Sequence, residues 1–156
     1  MKAKITATAK YLPKKTLTNL DLEKMVDTSE EWILSRTGIE KRHLVSKGEA
    51  TSDMCKEVAL ELIKKSGMNP EDIDLILIAT STPDVPVVST AALVQDKIGA
   101  KNAWGYDIVA ACTGFVYALE TGAKFVESGK YKNVLVTVSY THLRAHETRH
   151  DVVCRL

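Results

Sequence analysis

Leu75-Ile76-Leu77-Ile78-Ala79-Thr80 is apolar nearly throughout, and its reading decides the fold. A strand with one wet face alternates apolar and polar residues, whereas this run has no polar position before Thr80, as expected of a strand covered on both faces. Such strands belong to parallel sheets, whose crossover helices lie on either side. The flanks agree. Asn69-Pro70-Glu71-Asp72 is a helix-start signal followed by no more than a turn, and residues 89–98 read as a helix closed by Gly99.

Further downstream, residues 104–109 read as a second strand, 112–128 as a helix stopped by Gly129, and 134–138 as a third strand. On the 112–128 helix, Phe115, Leu119, Gly122 and Val126 share a face. Upstream, Met54, Val58, Leu62 and Ile63 fall on one face of a helix over 52–66, with Gly67 placed to end it. Residues 5–12 alternate loosely before Pro13, as a strand would. Asn19 is expected to cap a short helix carrying Leu20, Leu22, Met25 and Val26. Thr28 and Glu31 are spaced as a capping box for a helix ending near Ser35, before Gly38. Strands alternating with helices give an α/β fold with a mixed, mostly parallel sheet flanked by helices.

The 156 residues suit one domain with a real core. A composition 45% hydrophobic and 26% charged is that of an ordinary soluble globular protein. A formal net charge of +1 implies no field suited to nucleic acid or a membrane surface. The start, Met1-Lys2-Ala3-Lys4-Ile5, leads into no apolar run long enough for a signal peptide, and no later stretch approaches the ~20 apolar residues of a membrane span. Cysteines at 55, 112 and 154 show no paired spacing, so reduced thiols and a cytoplasmic location are expected.

Cys112 carries the chemistry. Tyr106-Asp107-Ile108-Val109-Ala110-Ala111 before it reads as a buried strand, and Thr113-Gly114-Phe115 after it opens a helix. A cysteine at that junction meets backbone N–H groups without intrahelical partners at the positive end of a helix dipole. The thiolate, which is the nucleophile, is favoured there. The alternative reading is an inert, buried cysteine packed at a sheet edge.

The cysteine motif is one of four that stand in order. Val26-Asp27-Thr28-Ser29-Glu30-Glu31-Trp32-Ile33 and Arg36-Thr37-Gly38-Ile39 precede Asp107-Ile108-Val109-Ala110-Ala111-Cys112-Thr113-Gly114-Phe115, with Thr82-Pro83-Asp84-Val85-Pro86 between them. Over residues 5–139 the chain resembles β-ketoacyl-acyl carrier protein synthase III, the initiating condensing enzyme of bacterial fatty-acid synthesis. The resemblance implies a thiolase-like fold of two similar halves, of which this chain is the first. It implies that Cys112 accepts an acyl group from acyl-CoA as a thioester, before decarboxylative condensation with malonyl-acyl carrier protein by a homodimer. Acyl-CoA enters as substrate, and no cofactor or metal is implied.

By the same resemblance Thr28, Trp32, Arg36 and Thr37 form the CoA-binding segment. Trp32 offers an indole face for adenine, and Arg36, four residues on, shares its side of the helix. An amphipathic helix end with Trp32 in the core and Arg36 snorkelling is the other reading. Val87 falls where the family often carries a phenylalanine that lines the acyl pocket across the dimer, and its smaller side chain would leave room for a primer longer or bulkier than acetyl. The family's catalytic histidine and asparagine belong to the second half. His43 does not match that histidine, and the chain alone is therefore expected not to condense.

Usage changes at Tyr140. All sixteen lysines and two arginines, Arg36 and Arg42, lie before it; the remainder holds Arg144, Arg149 and Arg155 and three of the four histidines. Residues 1–139 are accordingly read as the condensing half-domain, and 140–156 as a disordered or non-native extension of a truncated gene. Within it His146-Glu147-Thr148-Arg149-His150 spells the H-E-x-x-H zinc pattern, with His142 nearby. A catalytic zinc site also needs a third ligand and a supporting shell, so adventitious metal binding is the stronger reading of the pair. A non-catalytic fragment or interaction module stands as the alternative to an enzyme.

Overall fold

The computed structural model describes residues 2–139 and the backbone strand Val153–Arg155. Its elements are β1 (Ala7–Ala9), β2 (Lys15–Thr18), α1 (Asn19–Glu23), α2 (Glu30–Thr37), β3 (Lys41–Leu44), α3 (Thr51–Ser66), β4 (Leu75–Ala79), α4 (Thr90–Ile98), β5 (Trp104–Ile108), α5 (Gly114–Glu127), β6 (Val134–Val138) and β7 (Val153–Arg155). The main sheet runs β1-β7-β6-β4-β5. Within it β5, β4 and β6 are parallel, and β7 is antiparallel to both its neighbours.

β4 is the axis of the molecule, with all five residues fully buried. Its side chains alternate: Ile76 and Ile78 pack with Val58, Leu62, Ala91 and Val94 of α3 and α4. Leu75, Leu77 and Ala79 pack with Ala118 and Val126 of α5. The sheet is thus covered by α3 and α4 on one face and α5 on the other, the sandwich that an unbroken apolar strand requires. Gly105 on β5 shows how tight this is. A Cβ there would overlap the Ile76 carbonyl oxygen and lie 2.9 Å from Ala91 Cβ.

Helix ends follow local chemistry. Gly38, Gly67 and Gly99 close α2, α3 and α4 in the left-handed conformation that glycine adopts without a Cβ penalty. The starts differ from expectation. α1 is capped by Thr18, whose hydroxyl accepts from the Asp21 N–H while the Asp21 carboxylate reaches back. Asn19 is instead fully buried, donating to the Ile39 carbonyl at 2.8 Å and accepting from Arg42. An amide that bridges two segments is better satisfied there than at a cap. α2 is capped by Ser29, not Thr28, and runs to Thr37.

The short antiparallel pair β2–β3 has no counterpart in the sequence-based expectations. Nor is residues 106–111 a buried strand. β5 stops at Ile108, pairs among the described residues only with β4, and leaves Val109 75% exposed. β7, whose backbone lies within the Arg- and His-rich segment, joins the sheet between β1 and β6. The H-E-x-x-H residues and His142 lie outside the described residues.

Candidate active site

Cys112 sits in one 3-10 turn, Ala111–Thr113, between β5 and α5, so the helix opens two residues later than expected. Its thiol is free and exposed, not buried at a sheet edge. Ala111 has φ 44°, the one positive value at a non-glycine among the described residues. A left-handed alanine before Cys112 is local strain, kept because the surrounding structure dictates it. Thr113 does not cap α5; its hydroxyl turns back to the Ala110 carbonyl at 2.7 Å. Gly114 lets the helix start press on β4, since a Cβ there would lie 3.2 Å from Ala79 Cβ.

The turn stands at the carboxyl ends of the parallel strands. The ladder continues there by Thr80 N–H to Ile108 and Ser139 N–H to Ala79, at 3.1 and 3.2 Å. In open α/β sheets this edge, where the chain passes from one side of the first strand to the other, is where ligands bind. The apolar cavity lined by Leu62, Met68, Ile73 and Val134 is at the opposite end of these strands. Beside Cys112 the apolar Val116 and Tyr117 of α5 are 62% and 55% exposed.

Asp107, within the cysteine motif, has a structural task that the sequence did not disclose. Its carboxylate accepts from Ser89 Oγ and from the Thr90 and Ala91 N–H groups, and so caps α4 from β5. His43, on β3, has Nδ1 2.7 Å from the Pro13 carbonyl oxygen.

On α2, Ile33 is the buried anchor and Trp32 is 57% exposed, so the indole is not in the core. Arg36 is exposed one turn on. Thr28 is half-buried just ahead of the helix. The Thr37 hydroxyl donates to the Ile33 carbonyl at 2.7 Å and accepts from Ile39 N–H at 3.1 Å. Val87 lies in the loop between β4 and α4, 93% exposed. Among the described residues no three His, Cys, Asp or Glu side chains converge as metal ligands, and no helix is long and apolar enough to cross a membrane.

A sequence profile of 3-oxoacyl-[acyl-carrier-protein (ACP)] synthase III matches residues 106–152, a range that extends beyond Tyr140. The β-ketoacyl-[acyl-carrier-protein] synthase III of Chlorobium phaeovibrioides is 58% identical over 137 residues, covering 87% of this chain and 42% of that protein. The crystal structure of 3-oxoacyl-[acyl-carrier-protein] synthase III from Aquifex aeolicus superposes with a TM-score of 0.87 at 43% identity, over 97% of this chain and 52% of the other. The Thermus thermophilus protein gives 0.86 at 34% identity, over 98% and 50%. The chain therefore spans about half the length of the proteins it matches, and its thiolase-like fold is about half of theirs. In sequence and in fold, it is a homologue of the β-ketoacyl-[acyl-carrier-protein] synthase III proteins.

Proposed function

We propose that the chain is the acyl-accepting half of a fatty-acid chain-initiating condensing enzyme. The Cys112 thiolate attacks the carbonyl carbon of acyl-CoA, and the tetrahedral oxyanion is held by backbone N–H donors at the start of α5. Collapse breaks the bond to the CoA sulfur, which leaves as a thiolate and takes up a proton, and the acyl group remains as a Cys112 thioester. In the complete enzyme malonyl-acyl carrier protein then loses CO2, and its α-carbon attacks that thioester and frees the cysteine. That second half-reaction needs the histidine and asparagine the resemblance assigns elsewhere, so the chain alone acylates without condensing. No cofactor enters either step. The reaction belongs in the cytoplasm, where CoA thioesters and reduced cysteines coexist.

The observation that carries this reading is the exposed Cys112 on a strained turn at the carboxyl ends of parallel strands. Trp32 and Arg36, exposed on one side of α2, support CoA binding through indole stacking and phosphate contact. Thr37 contributes through its backbone turn, because its hydroxyl is already engaged on both sides. The exposed Val109, Val116 and Tyr117 fit surface that the rest of a homodimeric enzyme covers. The same surface supports the second reading, a non-catalytic fragment that self-associates.

Intact-mass measurement after incubation with acyl-CoA separates them. One acyl adduct, mapped to Cys112 and lost in Cys112→Ala, is the expected result. Equal labelling of Cys112→Ala overturns the assignment. Absence of any adduct together with concentration-dependent association favours the non-catalytic reading.

A further inference from the structure

The loop of residues 81–88 leaves β4 on the same edge of the sheet as Cys112 and ends at the Ser89 cap of α4. Three valines crown it: Val85 is 42% exposed, Val87 93% and Val88 46%. An apolar tip of this kind would lower its free energy by folding back onto the body, so something must hold it out.

That restraint begins at α3. The residue before this helix is Ala50, which has no side-chain oxygen with which to cap it. The Ser52 N–H, one of the orphan donors of the first turn, is taken instead by Asp84 Oδ1 at 2.8 Å. The Ser52 hydroxyl donates to Asp84 Oδ2 at 2.5 Å and accepts from Lys97 Nζ, which also pairs with Asp53. Thr51 adds a bond from its hydroxyl to the Thr82 carbonyl at 2.5 Å. The loop base is thereby tied to α3, whose first turn Lys97 in turn joins to α4, and Pro83 and Pro86 restrict the backbone on either side of Asp84 and Val85.

We propose that Asp84 is the positioning residue of this loop: by capping α3 from outside the helix, it holds Val87 out where it lines the acyl site. The second clause rests on the acyl-pocket reading of Val87 given above. Asp84 touches no substrate and acts only through the loop.

Hydrogen exchange of the full chain, with wild type, Asp84→Asn, Asp84→Ala and Val87→Phe compared, tests the anchoring. In Asp84→Ala the amides of residues 82–88 and of Ser52 should exchange ~10-fold faster or more, while those of β4 and β6 keep their protection. Asp84→Asn, which retains one acceptor oxygen, should lie between. Unchanged loop exchange in Asp84→Ala overturns the proposal; if that variant does not fold, unchanged loop exchange in Asp84→Asn does so.

The ratio of Cys112 adducts from acetyl-CoA and hexanoyl-CoA, measured on the same proteins, tests positioning. It should move toward acetyl in Val87→Phe and shift away from the wild-type value in Asp84→Ala, with partial return in Asp84→Asn. A ratio that moves in Val87→Phe but not with Asp84 overturns the positioning role. If Val87→Phe leaves the ratio unmoved, or no adduct forms, the acyl-site reading fails, and the positioning of Val87 at such a site is overturned with it. Faster loop exchange in Asp84→Ala would then uphold the anchoring alone.

Discussion

Asp107 caps a helix it does not belong to: its carboxylate accepts from the Thr90 N–H at 2.7 Å, across from β5 to the first turn of α4. The neighbouring Ala91 N–H and the Ser89 hydroxyl converge on the other oxygen, both at 2.9 Å. The strand leading to Cys112 and the helix that follows the loop of residues 81–88 are thus locked together. Asp107→Ala should lose about 1–3 kcal/mol, because it strands the Thr90 N–H in a partly buried place and leaves the Ala91 N–H only the Ser89 hydroxyl. Urea unfolding should show a lower midpoint with an unchanged slope.

Gly105 predicts a steric rather than a conformational penalty. It is absent from the positive-φ glycines, but a Cβ would collide with the Ile76 carbonyl and crowd Ala91. Gly105→Ala should therefore destabilise by about 1–3 kcal/mol, or more if β4 cannot shift. Thermal unfolding should show a lower Tm, and Gly105→Ser should be at least as damaging.

Ala111 is the converse case. A left-handed non-glycine residue costs about 1–2 kcal/mol, which Ala111→Gly relieves at an entropic cost of about 0.5–1 kcal/mol. The variant should match or slightly exceed the wild type in denaturant midpoint. Ala111→Val, β-branched at the same φ of 44°, should fall clearly below it. A Gly variant markedly less stable than wild type would show that the turn is not strained.

Two groups give stability opposite pH dependences. The Tyr11 hydroxyl donates to Glu49 at 2.7 Å, and that bond, with burial and the Glu49 and Glu57 charges, pushes its pKa up to about 12. A raised pKa means the contribution is whole below the unfolded value of about 10 and is lost as pH climbs toward 12. The phenolate absorbance of Tyr11, isolated by subtracting Tyr11→Phe, should appear last among the tyrosines. Asp53 is shifted the other way, lowered first by its bond from Lys97 and then by the Ala50 N–H. Its contribution is present above about 3.9 and disappears as pH falls through the depressed folded value. Asp53→Asn should flatten the acid limb of a stability–pH curve.

Much of the fold is legible without coordinates. α3 shows its buried face as Met54, Val58 and Leu62, and Gly67 and Gly99 end their helices where glycine alone is comfortable. The cysteine turn is likewise visible as a change of period from strand to helix. The caps are the instructive failures. Thr28 and Ser29 are adjacent and chemically alike, and the entry path of the chain decides that Ser29 does the work. Asn19 was a good cap by type, but a buried bridge between Ile39 and Arg42 satisfied more of its amide.

The sequence by itself determined the α/β order, the central buried strand, the glycine stops and the cysteine at a strand-to-helix junction. Each depends on periodicity or on the φ of a single residue, and those are local quantities. Tertiary structure alone decided that Asp107 and Asp84 cap α4 and α3 from outside, that β5 is the edge of the sheet among the described strands, and that Trp32 faces solvent while Ile33 anchors α2. Those outcomes join residues 17 and 32 positions apart, or depend on which strand has a neighbour. A hydrogen bond closed across such a span is chosen by the packing of whole layers, which no window of sequence contains.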